Sequence, residues 1–112
     1  MQKQFEILNE ICTVLFENLV KFDKFIYIYK FNLEENWVGT QVSTFLNGEK
    51  IASGLTSEIK DIINNLCQDL HDEMQSHTGG DWRKFILTID ESGKAKTEFI
   101  YEIQSCMDEF KD

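Results

Sequence analysis

Residues 79–101 read Gly79-Gly80-Asp81-Trp82-Arg83-Lys84-Phe85-Ile86-Leu87-Thr88-Ile89-Asp90-Glu91-Ser92-Gly93-Lys94-Ala95-Lys96-Thr97-Glu98-Phe99-Ile100-Tyr101, and the fold follows from how they pair. The two glycines stop whatever precedes them. Two alternating runs around a turn come next, the signature of a β-hairpin. Register sets the length of the turn. If Phe85, Leu87 and Ile89 face a core, their partners should be apolar too. Pairing Ile89 with Ala95, Leu87 with Thr97 and Phe85 with Phe99 achieves that. The loop is then Glu91-Ser92-Gly93, with Gly93 in the left-handed position of a bulged turn. A slip of one residue would put Lys96 opposite Leu87 on the core face. The other face carries Lys84, Thr88, Lys96 and Glu98 and is expected to be wet, so helices must cover the dry one.

Outward from the hairpin, the spacing of Ile59, Ile62, Ile63, Leu66, Cys67, Leu70 and Met74 predicts a helix that ends at Gly79. Thr56 or Ser57 caps its start. Its wet side holds Asp61, Asp69, Asp72 and Glu73. Before it, Trp37 to Leu46 reads as a strand, Asn47-Gly48 as a two-residue type I′ turn, and Glu49 to Ser53 as a short returning strand. Asn32 to Asn36 is a loop carrying Glu34 and Glu35. Phe25 to Phe31 is a strand with two apolar faces, Phe25, Tyr27, Tyr29 and Phe31 on one and Ile26 and Ile28 on the other. Either it is central and covered, the preferred reading, or one face waits for a partner. From about Gln4 to Phe22, apolar residues at Phe5, Leu8, Ile11, Cys12, Leu15, Phe16, Leu19 and Phe22 predict a first helix, with Glu6, Glu10, Thr13 and Glu17 opposite. Ile103, Cys106, Met107 and Phe110 predict a short C-terminal helix. The expected fold is a single α+β domain over residues 1–112. It has an antiparallel sheet of about five strands with helices packed on one face, in the order α-β-β-β-α-β-β-α.

Twenty acids against 11 bases give a net charge of −9. Such a chain is not expected to bind nucleic acid or an anionic membrane surface, but suits a basic protein partner. Cys12, Cys67 and Cys106 match no zinc or redox spacing and fall on apolar stripes, so they read as reduced thiols of a cytoplasmic protein. No signal peptide, membrane span or proline-rich linker is read in the sequence. Nothing in it forms an active site, so no enzyme, cofactor or metal is expected. His71 and His77 are six positions apart, do not share a helix face, and read as solvent-facing side chains. Gly79-Gly80 lacks the rest of a phosphate loop. Asp69, Asp72 and Glu73 read first as a solvated face rather than as paired catalytic carboxylates. Trp82 reads as a core-edge aromatic. Trp37, beside Glu34 and Glu35, is the better interface anchor.

Trp82 followed by an alternating strand, the Gly93-Lys94 turn and the ending Phe99-Ile100-Tyr101 resemble the YezG-type immunity proteins. So does the entry Lys21-Phe22-Asp23-Lys24-Phe25. The similarity runs over essentially the whole chain. It departs at Asp81, where that family usually has proline, and at Ile100, where it usually has an acid. The resemblance implies an antitoxin that binds and neutralises a cognate nuclease toxin, with contact-dependent growth inhibition immunity proteins as neighbours. A nuclease site is basic, so carboxylates would cover it. The expected partner-binding residues are Asp69, Asp72 and Glu73 first, then Glu34, Glu35 and Trp37, on a monomer or weak dimer. The order of elements and the low pI also resemble the small acidic chaperones of bacterial type III secretion, dimers that hold an extended effector segment. Oligomeric state and the folded or unfolded nature of the ligand separate the two readings.

Overall fold

A computed structural model describes residues 2–102. The elements run α1 (Gln2–Asn18), β1 (Lys24–Asn32), β2 (Trp37–Leu46), β3 (Glu49–Ile51), α2 (Ser57–Thr78), β4 (Lys84–Asp90) and β5 (Ala95–Ile100). This is the expected α+β class with a five-stranded antiparallel sheet and two helices. The predicted C-terminal helix and Cys106 lie outside the described residues. The chain forms two units. Of the described residues, one unit holds those up to Lys21 with Ser53–Asp81, and the other holds Phe22–Ala52 with those from Trp82.

In the sheet unit the strands lie in the order β3-β2-β1-β4-β5, every neighbour antiparallel. The β4–β5 register is the one that charge placement predicts: Ile89 opposite Ala95, Leu87 opposite Thr97, Phe85 opposite Phe99. Gly93 closes the three-residue loop with a φ of 84°. A side chain there would be strained, which is why glycine occupies it. Asp90 completes the turn. Its Oδ1 accepts from the Ser92 amide at 3.0 Å, the Ser92 hydroxyl at 2.7 Å and the Lys94 amide at 2.9 Å. These bonds, the Ser92 hydroxyl first, hold the Asp90 carboxyl below its ordinary pKa. At the other hairpin, Asn47 and Gly48 take φ of 55° and 81°, as a type I′ turn needs.

Sheet position explains the burial. Phe25, Tyr27, Tyr29 and Phe31 share a face with Phe85, Leu87 and Ile89, and all are buried. Trp82 is buried among Tyr29, Phe31, Phe85 and Phe99, with ring centroids 5.5–6.4 Å away. The wet-face expectation is corrected at Lys84. It is buried opposite Lys30, which is buried too. Both lie on interior strands, each flanked by a strand on either side, and a long aliphatic stem can pack there. Lys96 and Glu98, on β5, are exposed as expected. Among the described residues the buried Thr44 Oγ1 has no hydrogen-bond partner. The short returning strand stops at Ile51 rather than Ser53. Ser53 turns its carbonyl to the Val20 amide at 3.3 Å and its hydroxyl to the Leu55 amide at 3.2 Å.

In the helical unit Thr56 caps α2, its hydroxyl accepting from the Ile59 amide at 3.2 Å. Gly79 ends the helix in the left-handed conformation. α1 stops at Asn18, short of the predicted Phe22. Its buried stripe is Ile7, Ile11 and Leu15, while Phe5 and Phe16 are 56% and 48% exposed. The two phenylalanines stand about 120–140° around the helix from Ile11, outside the arc that one buried face can cover. On α2, Ile63, Cys67, Leu70 and Met74 are buried, but Ile62 is not. Burial raises the pKa of the Cys67 thiol strongly and that of half-buried Cys12 less. Both thiols are free.

Candidate functional site

The first turns of α1 lie against the last turns of α2. Between them is a cleft of about 530 Å³ lined by Lys3, Ile7, Glu10, Leu66, Asp69, Asp72, Glu73 and Ser76. The helix period brings the three predicted acids together. Asp69, Asp72 and Glu73 stand at i, i+3 and i+4, on one face of α2. Glu10 adds a fourth carboxylate from α1, with Lys3 the one base in the lining. The sequence showed Glu10 only as part of a polar stripe. Its placement opposite Asp69 depends on how the helices pair, which periodicity does not encode.

The four acids are not equivalent. Glu73 is largely buried and lies 2.7 Å from His77 Nε2. Asp72 Oδ1 lies 3.0 Å from His71 Nδ1 and accepts from Gln68 Nε2 at 3.3 Å. Glu10 and Asp69 are exposed. Neither is tied to a histidine, as Asp72 and Glu73 are.

His71 overturns its expected solvent exposure. It is 2% exposed, between Cys67 and Met74 on the buried stripe of α2. Its Nε2 lies 2.7 Å from Asp81 Oδ1. Each ring nitrogen thus faces a carboxylate, and both contacts are hydrogen bonds only when both nitrogens carry protons. The pair of aspartates makes burial of this polar ring tolerable. Asp81 also ties the segment after α2 back to the helix. His77 is exposed, as expected.

Glu34 and Glu35 stand in the β1–β2 turn, and Trp37 opens β2 just after it. Glu35 Oε1 accepts from Trp37 Nε1 at 2.8 Å, and the Glu35 amide donates to Asn32 Oδ1 at 3.0 Å. Glu34 pairs with Arg83 at 3.3 Å. Asn36 supplies the positive φ, 56°, that closes the turn. These residues build a turn, with Glu35 engaged inside it and Glu34 by Arg83 outside it. The aromatic face of β1 that an extended ligand would need is buried.

Among the described residues no group of three or more His, Cys, Asp or Glu side chains is placed to hold a metal ion. No helix among them is long and apolar enough to cross a membrane. Set against protein-family models and curated proteins, the chain has no significant match.

Proposed function

We propose that this chain is an immunity protein that neutralises a nuclease toxin by laying carboxylates over the toxin's basic active site. The observation that carries the reading is the α1–α2 cleft, where Glu10, Asp69, Asp72 and Glu73 converge against a single lysine. A nuclease must hold a polyanion, so its site presents the opposite potential. Charge steering speeds such an encounter. Leu66, half-buried in the same lining, offers apolar area that slows release once water is excluded. The net charge of −9 acts in the same direction at long range.

The test uses the toxin domain encoded beside this gene, in growth rescue and in association kinetics at low and high salt. Glu10→Lys with Asp69→Lys is the informative double variant, because neither residue is tied to a histidine as Asp72 and Glu73 are. Capture should slow by roughly tenfold or more at low salt, and the difference should shrink as screening grows. Unchanged kinetics would move the interface off this cleft. Failure of the unmodified protein to bind that toxin would overturn the immunity reading.

A further inference from the structure

The two edges of the sheet differ. β3 is three residues long, and a short edge offers little to pair with. β5 has six residues, Ala95 to Glu98 are exposed, and its register with β4 runs without a bulge from Ile100 to Ala95. It holds no proline. Among the described residues β4 is its only neighbour. A regular edge of this kind is a template for another strand.

The hydrogen-bond phase of that edge is fixed by the hairpin. The Asp90 amide donates to the Lys94 carbonyl at 3.0 Å, and Lys94 stands opposite Asp90 in the ladder. In an antiparallel pair the bonded positions alternate. Lys94, Lys96, Glu98 and Ile100 therefore turn their backbone groups towards β4, and Ala95, Thr97 and Phe99 turn theirs to the open edge.

We infer that β5 pairs with β5 of a second copy of this chain, antiparallel, about a two-fold axis at Thr97. A two-fold contact must match the surface to itself, and the charges of this strand do so in one register only. With Thr97 opposite Thr97 of the other copy, the outward amides and carbonyls of Thr97 bond reciprocally, and Ala95 meets Phe99. Lys96 then stands opposite Glu98 twice, at the non-hydrogen-bonded positions where side chains come closest. The neighbouring registers that keep the same phase centre on Lys96 or on Glu98 and set like charges opposite one another. The resulting sheet would have ten strands. It uses none of the groups in the α1–α2 cleft, so it stands or falls apart from the toxin-binding reading.

Sedimentation velocity over a dilution series tests it, at about 0.15 M salt so that the −9 on each chain is screened beyond about 8 Å. The unmodified chain should show a monomer–dimer equilibrium. Lys96→Glu opposes two carboxylates and Glu98→Lys opposes two ammonium groups. Each should raise the dissociation constant roughly tenfold, since two cross-strand pairs turn from attractive to repulsive. The double swap Lys96→Glu with Glu98→Lys should return it to near the original value. A second measurement needs no variant: amide exchange at Thr97 and Phe99 should slow as concentration rises, because both amides point to the open edge. A chain that is monomeric throughout overturns the inference. So does a dimer indifferent to both reversals, or one in which the Thr97 and Phe99 amides exchange as fast as in the monomer.

Discussion

The β1–β2 turn and the α1–α2 cleft are both rich in carboxylates, and the two regions use them in opposite ways. In the turn, Glu35 accepts from the Trp37 indole and Glu34 pairs with Arg83. In the cleft, Asp72 and Glu73 meet His71 and His77, but Glu10 and Asp69 make no ion pair among the described residues. The difference comes from the backbone. A helix interior consumes its own amides in its ladder and leaves none for a side chain to cap. A turn leaves amides open, and a nearby carboxylate takes them. Asp90 and Asp23 do so at the two hairpins, Asp23 Oδ2 accepting from the Asn47 amide at 2.6 Å, while Glu34 and Glu35 are held by side-chain donors. An acid on a helix face is therefore the better candidate for an outside partner than an acid beside a turn.

Four variants would break or sharpen that division. Asp81→Ala should have the largest effect on stability, because it leaves the buried His71 ring without one of its acceptors. A loss of about 1–3 kcal/mol in urea denaturation is expected. A loss near zero would mean that Asp81 does not hold the ring. Asp23→Ala removes the acceptor for the Asn47 amide and should cost about 1 kcal/mol, measured the same way. Hydrogen exchange at Asn47 should quicken with it.

Asp90→Ala should have a smaller effect, and one that depends on pH. The folded pKa of Asp90 lies below the unfolded one. Its contribution is therefore complete above the unfolded value, near pH 4, and is lost as pH falls through the folded value. Urea midpoints of the variant and the unmodified chain should differ at pH 5 and converge towards pH 2. An equal gap at both would mean that the carboxylate is not what holds the turn. Glu10→Lys with Asp69→Lys should have the smallest effect on stability, below about 0.5 kcal/mol. A large loss there would place the cleft acids among the structural ones.

The sheet was legible where a local rule sufficed. Keeping Lys96 away from Leu87 selected the β4–β5 register, and Asn47-Gly48 and Gly93 marked both turns. Thr56 announced the start of α2. What was not legible depends on distant neighbours. Lys84 looks like a wet-face residue until β1 is known to lie beside it. α1 offers two overlapping apolar arcs, and only its packing chooses Ile7, Ile11 and Leu15 over Phe5 and Phe16. The spacing of His71 from His77 says nothing of its burial, which depends on a polar ring met by Asp72 and by Asp81 ten positions on. The cleft was half readable, as the α2 acids were but Glu10 was not.

The central place of β1 has a consequence for synthesis. Its first neighbour, β2, follows at once through a turn of four residues, Leu33 to Asn36. Its second, β4, begins at Lys84, 52 positions after β1 ends at Asn32. At roughly 5–20 residues per second on the ribosome, that side of β1 waits about 3–10 s for its partner. Throughout that interval a strand bearing Phe25, Tyr27, Tyr29 and Phe31 keeps one edge unpaired, a hazard for self-association of nascent chains. Chains stalled before Lys84 should therefore precipitate or recruit chaperones, and chains released after Ile100 should not.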